Sequence, residues 1–252
     1  MKNYHTHTTR CMHAIGSEEE YILAAISAGY TELGFSDHTP WHYESGYHAT
    51  MRMDESQLED YVHTLSVLRD KYKDKISIKI GLECEYFEDK MEWLKEQLEK
   101  YKLDYIILGN HFDGSDETGI YYGHPVSLEE LKRYVSQVIK AMDTGLFSYV
   151  AHPDVVFYDE KNQEHIDELE KICIHAAEID MPLEFNLLGY KAMRHYPSQP
   201  FIDLCKKHHN RIIIGTDAHE PSALKDTKTY NCAYAYLKES GLEITEDIKM
   251  LR

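Results

Sequence analysis

Several features that mark large protein classes are scarce or missing in this chain. There is no Cys-x-x-Cys, and the five cysteines (Cys11, Cys84, Cys173, Cys205 and Cys232) are odd in number and scattered. That pattern argues against a disulfide framework and predicts reduced thiols in a cytoplasmic protein. No apolar run approaches the length of a membrane span, and Met1-Lys2-Asn3-Tyr4-His5 lacks the apolar core of a signal peptide. Positive charge is also short, with 27 Lys and Arg against 44 Asp and Glu and a net charge of −17. A uniformly acidic surface repels polynucleotide phosphates and anionic lipid, so neither nucleic acid nor membrane is expected as a partner. A small phosphorylated substrate stays open, because cations bound in a pocket would dominate the field there. No linker, low-complexity tract or repeat interrupts the 252 residues, and a single domain over 1–252 with a sizeable core is expected.

What the chain has in surplus is histidine, with sixteen, and tyrosine, with twenty. The tyrosines read most simply as helix and loop packing. Short β-rich runs alternate with amphipathic helical stretches. Ser17 to Glu20 and Ser127 to Glu130 are capping boxes, and Asp54 to Gln57 repeats the pattern, so helices are predicted from these points to about Gly29, Met142 and Lys73. Further helices are predicted over 88–101, 164–179 and 199–209. Strands are predicted at 32–36, 76–82, 105–108, 147–151, 183–186 and 211–214, with a first strand carrying His5 and His7. Residues 39–53 are irregular and aromatic, too long for a plain connector. Strand then helix, about seven times over, argues for parallel strands with helices outside, and a closed barrel of this kind carries its site at the C-terminal strand ends.

Those ends are unusually uniform. In chain order they offer His5 and His7, Asp37-His38, Glu83 and Glu85, His111, His152, then Glu184 and Asn186, and finally Asp217 with His219. His-x-His places both imidazoles on one face of an extended segment. If the strands are parallel, the ends converge on one metal centre. Imidazole and carboxylate without thiolate suit zinc, manganese or iron. Nine candidate ligands (His5, His7, His13, His38, Glu83, His111, His152, Asp217 and His219) suit two or three divalent ions that clamp an anion and activate water.

This ordered set resembles the polymerase-and-histidinol-phosphatase (PHP) superfamily, from His5-x-His7 to Gly215-Thr216-Asp217-Ala218-His219. The resemblance implies a distorted (β/α)7 TIM-like barrel. It also implies one ion on His5, His7, Glu83 and Asp217, a second on Glu83, His111 and His152, and a third on His13, His38 and His219. Gly81 to Tyr86, Met51-Arg52-Met53-Asp54 and Tyr196-Pro197-Ser198 look most like the free-standing histidinol-phosphate phosphatases. The implied activity is hydrolysis of L-histidinol phosphate, a step of histidine biosynthesis, by metal-activated hydroxide. Glu83, Asp217 and His219 would be catalytic, and Arg194 and His38 would face the substrate. The 39–53 loop would suit the cationic histidinol group. Two departures are visible: Val155 to Tyr158 stand where the family often carries arginine, and the 112–126 loop, with Asp113, Asp116, Glu117 and His124, is unusual. Another PHP phosphoesterase, acting on a different monoester, a phosphotyrosine protein or a nucleotide, is the alternative. A non-catalytic metal-binding domain and an amidohydrolase are more distant ones.

Overall fold

The computed structural model describes residues 1–251. The first half alternates as the periodicity predicts: β1 (Lys2–Asn3), α1 (Glu18–Ser27), β2 (Glu32–His38), α2 (Leu58–Tyr72), β3 (Ser77–Cys84), α3 (Met91–Tyr101), β4 (Tyr105–Leu108) and α4 (Leu128–Asp143). The second half holds α5 (Gln163–Glu178), β5 (Leu183–Asn186), α6 (Leu187–Ala192), α7 (Gln199–Lys207), β6 (Arg211–Gly215), α8 (Pro221–Lys225), α9 (Thr227–Glu239) and β7 (Glu243–Thr245). Both capping boxes form, with Ser17 accepting from the Glu20 N–H and Ser127 from the Glu130 N–H while each glutamate returns to the cap backbone. Each satisfies two orphan N–H groups at a helix start.

Strands β1 to β4 pair in parallel and in sequence order, and β5 to β7 form a second parallel set. The predicted strand 147–151 is not continuous, yet its backbone joins the two sets. Val150 bridges in parallel to Leu108 on one side and Leu183 on the other. Ser148 N–H reaches the Ile106 carbonyl at 2.8 Å, and Glu184 N–H reaches that of Val150 at 2.9 Å. The segment ends as a strand because His152 turns out of extended geometry, with φ of 29°. The opposite seam closes where Thr6 bridges Ala218 in parallel. His7 N–H donates to the Ala218 carbonyl at 2.9 Å there. Seven staves thus make a distorted (β/α) barrel, with β7 an unpredicted addition below β6 and α6 an unpredicted turn of helix after β5.

Helices clothe the outside over a continuous apolar core. A smaller cluster of Tyr4, Tyr105, Ile107, Tyr149, Ala151 and Ile213 fills the barrel interior. The reading of tyrosine as helix and loop packing is therefore incomplete. Tyr105 donates its hydroxyl to the Tyr4 carbonyl at 2.7 Å, and the two rings meet edge to face at 5.6 Å. This layer plugs the barrel beneath the ends that carry the site. No helix among the described residues is long and apolar enough to cross a membrane.

Candidate metal centre

The local chain path explains the imidazole pair. Strand β1 is short, and His5 and His7 follow it, flanking Thr6, whose backbone is stitched to Ser36 and Ala218. Alternation about that bridge turns both rings inward, where they are fully buried. His38 and Glu83 are neighbours in register on β2 and β3. His111 follows β4, His152 follows the Val150 bridge, and Asp217 and His219 follow β6. Asp217, like His152, has a left-handed backbone, with φ of 50°. Such strain of about 1–3 kcal/mol persists only where surroundings enforce it, and it clusters at functional sites.

Glu83 is the hub. Its Oε2 faces His38 Nδ1 at 3.0 Å and the Nε2 atoms of His5 and His7 at 3.5 Å each. Its Oε1 faces His152 Nε2 at 2.8 Å and His111 Nε2 at 3.4 Å. Asp217 Oδ1 lies 3.2 Å from His7 Nε2 and 3.5 Å from His5 Nε2. A carboxylate with imidazoles on both oxygens has the disposition of a bridging ligand. Room for it comes from Gly109, where a Cβ would overlap the Glu83 carboxylate. Gly215 does the same for Glu184.

A second ring of carboxylates orients the imidazoles. His5 Nδ1 lies 2.8 Å from Glu184 Oε1, and Glu184 Oε2 accepts from the His152 N–H at 2.8 Å and from Asn186 Nδ2 at 2.9 Å. Asp37 Oδ1 lies 3.6 Å from His7 Nδ1, and Asp37 also accepts from Thr8. Glu85 Oε1 lies 3.3 Å from His111 Nδ1. Carboxylates on the far nitrogen of an imidazole are the usual support of a metal ligand. Sequence inspection placed Glu184 and Glu85 at strand ends but assigned them no role, because a pairing across staves leaves no trace in linear spacing.

Charge in the centre is finely divided. Burial alone would raise Glu83, but His38, His111, His5 and the His152 hydrogen bond hold it well below the usual carboxylate range. Asp217 is held down likewise, against burial, by His5, His7 and His219. Burial disfavours a charged His7, yet the nearby carboxylates of Asp217 and Asp37 lift it to about 9. Burial wins at His38, which falls to about 4, and at His219, which falls to about 3 with the help of His7.

The donor set fits divalent ions. The buried Nε2 of His5, both ring nitrogens of His7, His38 Nδ1 and Glu83 Oε2 have no hydrogen-bond partner. Groups such as His5, His7 and Glu83, or His7, His38 and His219, bring their ligand atoms within 4.8 Å of one another. His13 is exposed, but its Nε2 stands 2.9 Å from His219 Nε2. Each of these two rings turns Nδ1 to a carbonyl, of Cys11 at 2.6 Å and Asp217 at 3.0 Å. Both Nδ1 atoms must therefore carry hydrogen, and two Nε2 lone pairs confront each other. A cation relieves that confrontation. All nine sequence-designated residues thus converge, as two carboxylates and seven imidazoles.

The centre opens into a cleft of about 640 Å³ whose walls include Thr50, Met51, Phe112, Tyr121, Val155, Leu188, Arg194 and Tyr196. Arg194 has no carboxylate partner among the described residues. Its Nη1 donates to the Tyr196 hydroxyl at 2.8 Å. The 39–53 loop contributes only Thr50 and Met51 to this cleft, and its one acid, Glu44, is exposed; the expected acidic contact with a cationic group does not come from there. In the 112–126 loop Asp116 is engaged by Arg52 and Asp113 by Arg133. His42 and His48 pair with Glu55 and Asp54 on the surface, as ordinary loop residues do. Cys84 is a buried packing residue that accepts from Thr39 Oγ1 at 2.7 Å.

Comparison with known proteins agrees with this geometry. The chain is 27% identical over 250 residues to the histidinol-phosphatase of Bacillus subtilis (strain 168), covering 86% of this chain and 92% of that one. It superposes on histidinol phosphate phosphatase from Lactococcus lactis subsp. lactis, a crystal structure complexed with zinc, L-histidinol and phosphate. The TM-score is 0.75 at 20% identity, covering 100% of this chain and 98% of that one. The metal-dependent tyrosine phosphatases YwqE of Bacillus subtilis and CpsB of Streptococcus pneumoniae share the fold more loosely, with a TM-score of 0.51 at 16% identity and coverage of 96% and 89%. The PHP domain model matches residues 3–187, most of the chain. The chain belongs to the PHP domain family.

Proposed function

We infer that the protein is a metal-dependent phosphomonoesterase that hydrolyses L-histidinol phosphate to L-histidinol and phosphate. The observation that carries this reading is the Glu83 and Asp217 pair ringed by seven imidazoles, opening into a cleft that presents an arginine without a carboxylate partner. The curated relative that bears the histidinol-phosphatase name over most of both chains supports the choice of substrate.

His5, His7, Glu83 and Asp217 would hold one ion, Glu83, His111 and His152 a second, and His13, His38 and His219 a third. Zinc, manganese or iron bound there would neutralise phosphoryl oxygens and lower the pKa of water toward neutrality. The chain's own residues supply the rest. Arg194, steadied by the Tyr196 hydroxyl, is placed to grip phosphate oxygens from the cleft wall. Glu83 holds the imidazoles in register through both of its oxygens. Asp217 is kept ionised and His219 neutral, the forms in which a carboxylate and an imidazole can ligate a cation. His38 lines the same cleft. Phe112, Tyr121, Val155 and Leu188 give the cleft apolar wall for the leaving group to lie against.

Residues 1–252 are read as one domain, supported by an apolar core running from Tyr21 to Leu242. A cytoplasmic setting is supported by five cysteines that are all free thiols. The small phosphate ester remains the partner proposed, with no role for nucleic acid.

The test is phosphate release from L-histidinol phosphate by manganese- or zinc-loaded protein, beside 4-nitrophenyl phosphate and an Asp217→Ala control. Fast turnover of histidinol phosphate that the substitution abolishes is expected. Turnover of the aryl ester alone would overturn the substrate and keep the phosphatase.

A further inference from the structure

Arg52, in the Met51-Arg52-Met53-Asp54 segment, has no part in the chemistry described so far. Arg52 sits on a loop, yet it is only 1% exposed. A guanidinium cannot shed its charge, so burying one requires partners already in place. Nη2 donates to Glu85 Oε1 at 2.7 Å, Nη1 to Glu85 Oε2 and to the Thr39 carbonyl at 3.0 Å each, and Nε to Asp116 Oδ2 at 2.8 Å. Glu85 also accepts from the Trp41 indole N–H at 2.8 Å, and its Oε1 lies 3.3 Å from His111 Nδ1. One buried arginine thereby joins the 39–53 loop, the 112–126 loop and the end of β3 behind a single imidazole of the metal centre.

We propose that Arg52 is a positioning residue: by gripping Glu85 with two parallel hydrogen bonds it fixes the tautomer and orientation of His111, and so sets how tightly the site of Glu83, His111 and His152 holds a divalent ion. The inference rests on the metal-dependent reading above and adds a residue that touches neither metal nor substrate. A free carboxylate can rotate away from an imidazole, whereas one held in a guanidinium fork cannot. With Glu85 so held, His111 Nδ1 meets an acceptor and must carry the hydrogen. Its Nε2 lone pair is left toward Glu83 Oε1, 3.4 Å away. Lysine at position 52 would keep the charge but, as a point donor, could not hold both oxygens of Glu85. Arg52 therefore does more than neutralise a buried acid.

The experiment titrates manganese into metal-stripped protein by calorimetry, without substrate. It compares the parent, Arg52→Lys, Glu85→Gln, His111→Ala and the Glu85→Gln/His111→Ala double variant. Arg52→Lys and Glu85→Gln are each expected to weaken one site by roughly 10- to 100-fold, the scale for loss of a support behind a metal ligand, and to leave the others at parental affinity. The double variant is expected to bind no more weakly than His111→Ala alone, because Glu85 acts through His111. Parental affinity in both single variants, or additive losses in the double, would overturn the proposal. Failure of both single variants to reach the parental near-ultraviolet circular dichroism would also overturn it, since the role would then be structural. No substrate enters the titration, so the two readings fail separately. A protein that shows the expected pattern but leaves histidinol phosphate intact refutes the function alone, and an active phosphatase that lacks the pattern refutes this inference alone.

Discussion

Glu184→Gln changes one atom and predicts a specific failure. In the native centre Glu184 Oε2 accepts two hydrogen bonds, from the His152 N–H at 2.8 Å and Asn186 Nδ2 at 2.9 Å, while Oε1 lies 2.8 Å from His5 Nδ1. A glutamine has one acceptor oxygen to divide between these two sides. Two donors outvote one, so its carbonyl faces His152 and Asn186 and its NH2 faces His5. His5 must then offer a lone pair at Nδ1 and carry its hydrogen on Nε2, the atom 3.5 Å from both Glu83 and Asp217. In that tautomer His5 cannot be a ligand. Forcing the ligating tautomer back leaves two buried donors opposed, which costs about 1–3 kcal/mol, or roughly 10- to 100-fold in metal affinity. Calorimetric titration of zinc into stripped protein measures this directly, and circular dichroism checks that the fold is kept. Affinity equal to the parent would refute the orientation argument, because Glu184 would then be a bystander.

Three further outcomes are expected. Gly109→Ala drives a Cβ into the Glu83 carboxylate, so the variant is expected to lose bound metal, by elemental analysis, far more than it loses helical circular dichroism. Chelation should lower the melting temperature: an ion that binds only the folded chain stabilises it by about 2.7 kcal/mol at 100 times its dissociation constant, and an unchanged melt would argue that the unpartnered imidazoles are not ligands. Arg194→Ala removes a charge-assisted contact worth about 1.5–3 kcal/mol, and KM for a phosphomonoester should rise roughly tenfold or more while bound metal is unchanged. A parental KM would remove Arg194 from the phosphate site.

Much of the centre was legible because eight of its nine ligands sit at or just beyond strand ends. Parallel staves convert that linear regularity into convergence, and His13 was recovered although no strand carries it. The capping boxes were legible because Ser17 with Glu20 and Ser127 with Glu130 act within four residues of each other. What lay beyond reach is interaction between distant segments. Arg52 with Glu85, and Glu184 with His5, are contacts between staves or loops that no spacing announces. The stretch at 147–151 looked like a strand by its β-branched and aromatic content, but the turn at His152 limits it to a bridge. The 39–53 loop looked like a substrate wall by composition. Its one arginine is used inward, and only Thr50 and Met51 reach the cleft.

The seam between Thr6 and Ala218 has a consequence for biosynthesis. His5 and His7 precede Asp217 and His219, which face His7 across this seam, by more than two hundred residues of chain. A nascent chain halted before β6 carries an acidic hub and most of the imidazoles without the segment that closes the ring. Capture of the full set of ions therefore requires that seam to be closed.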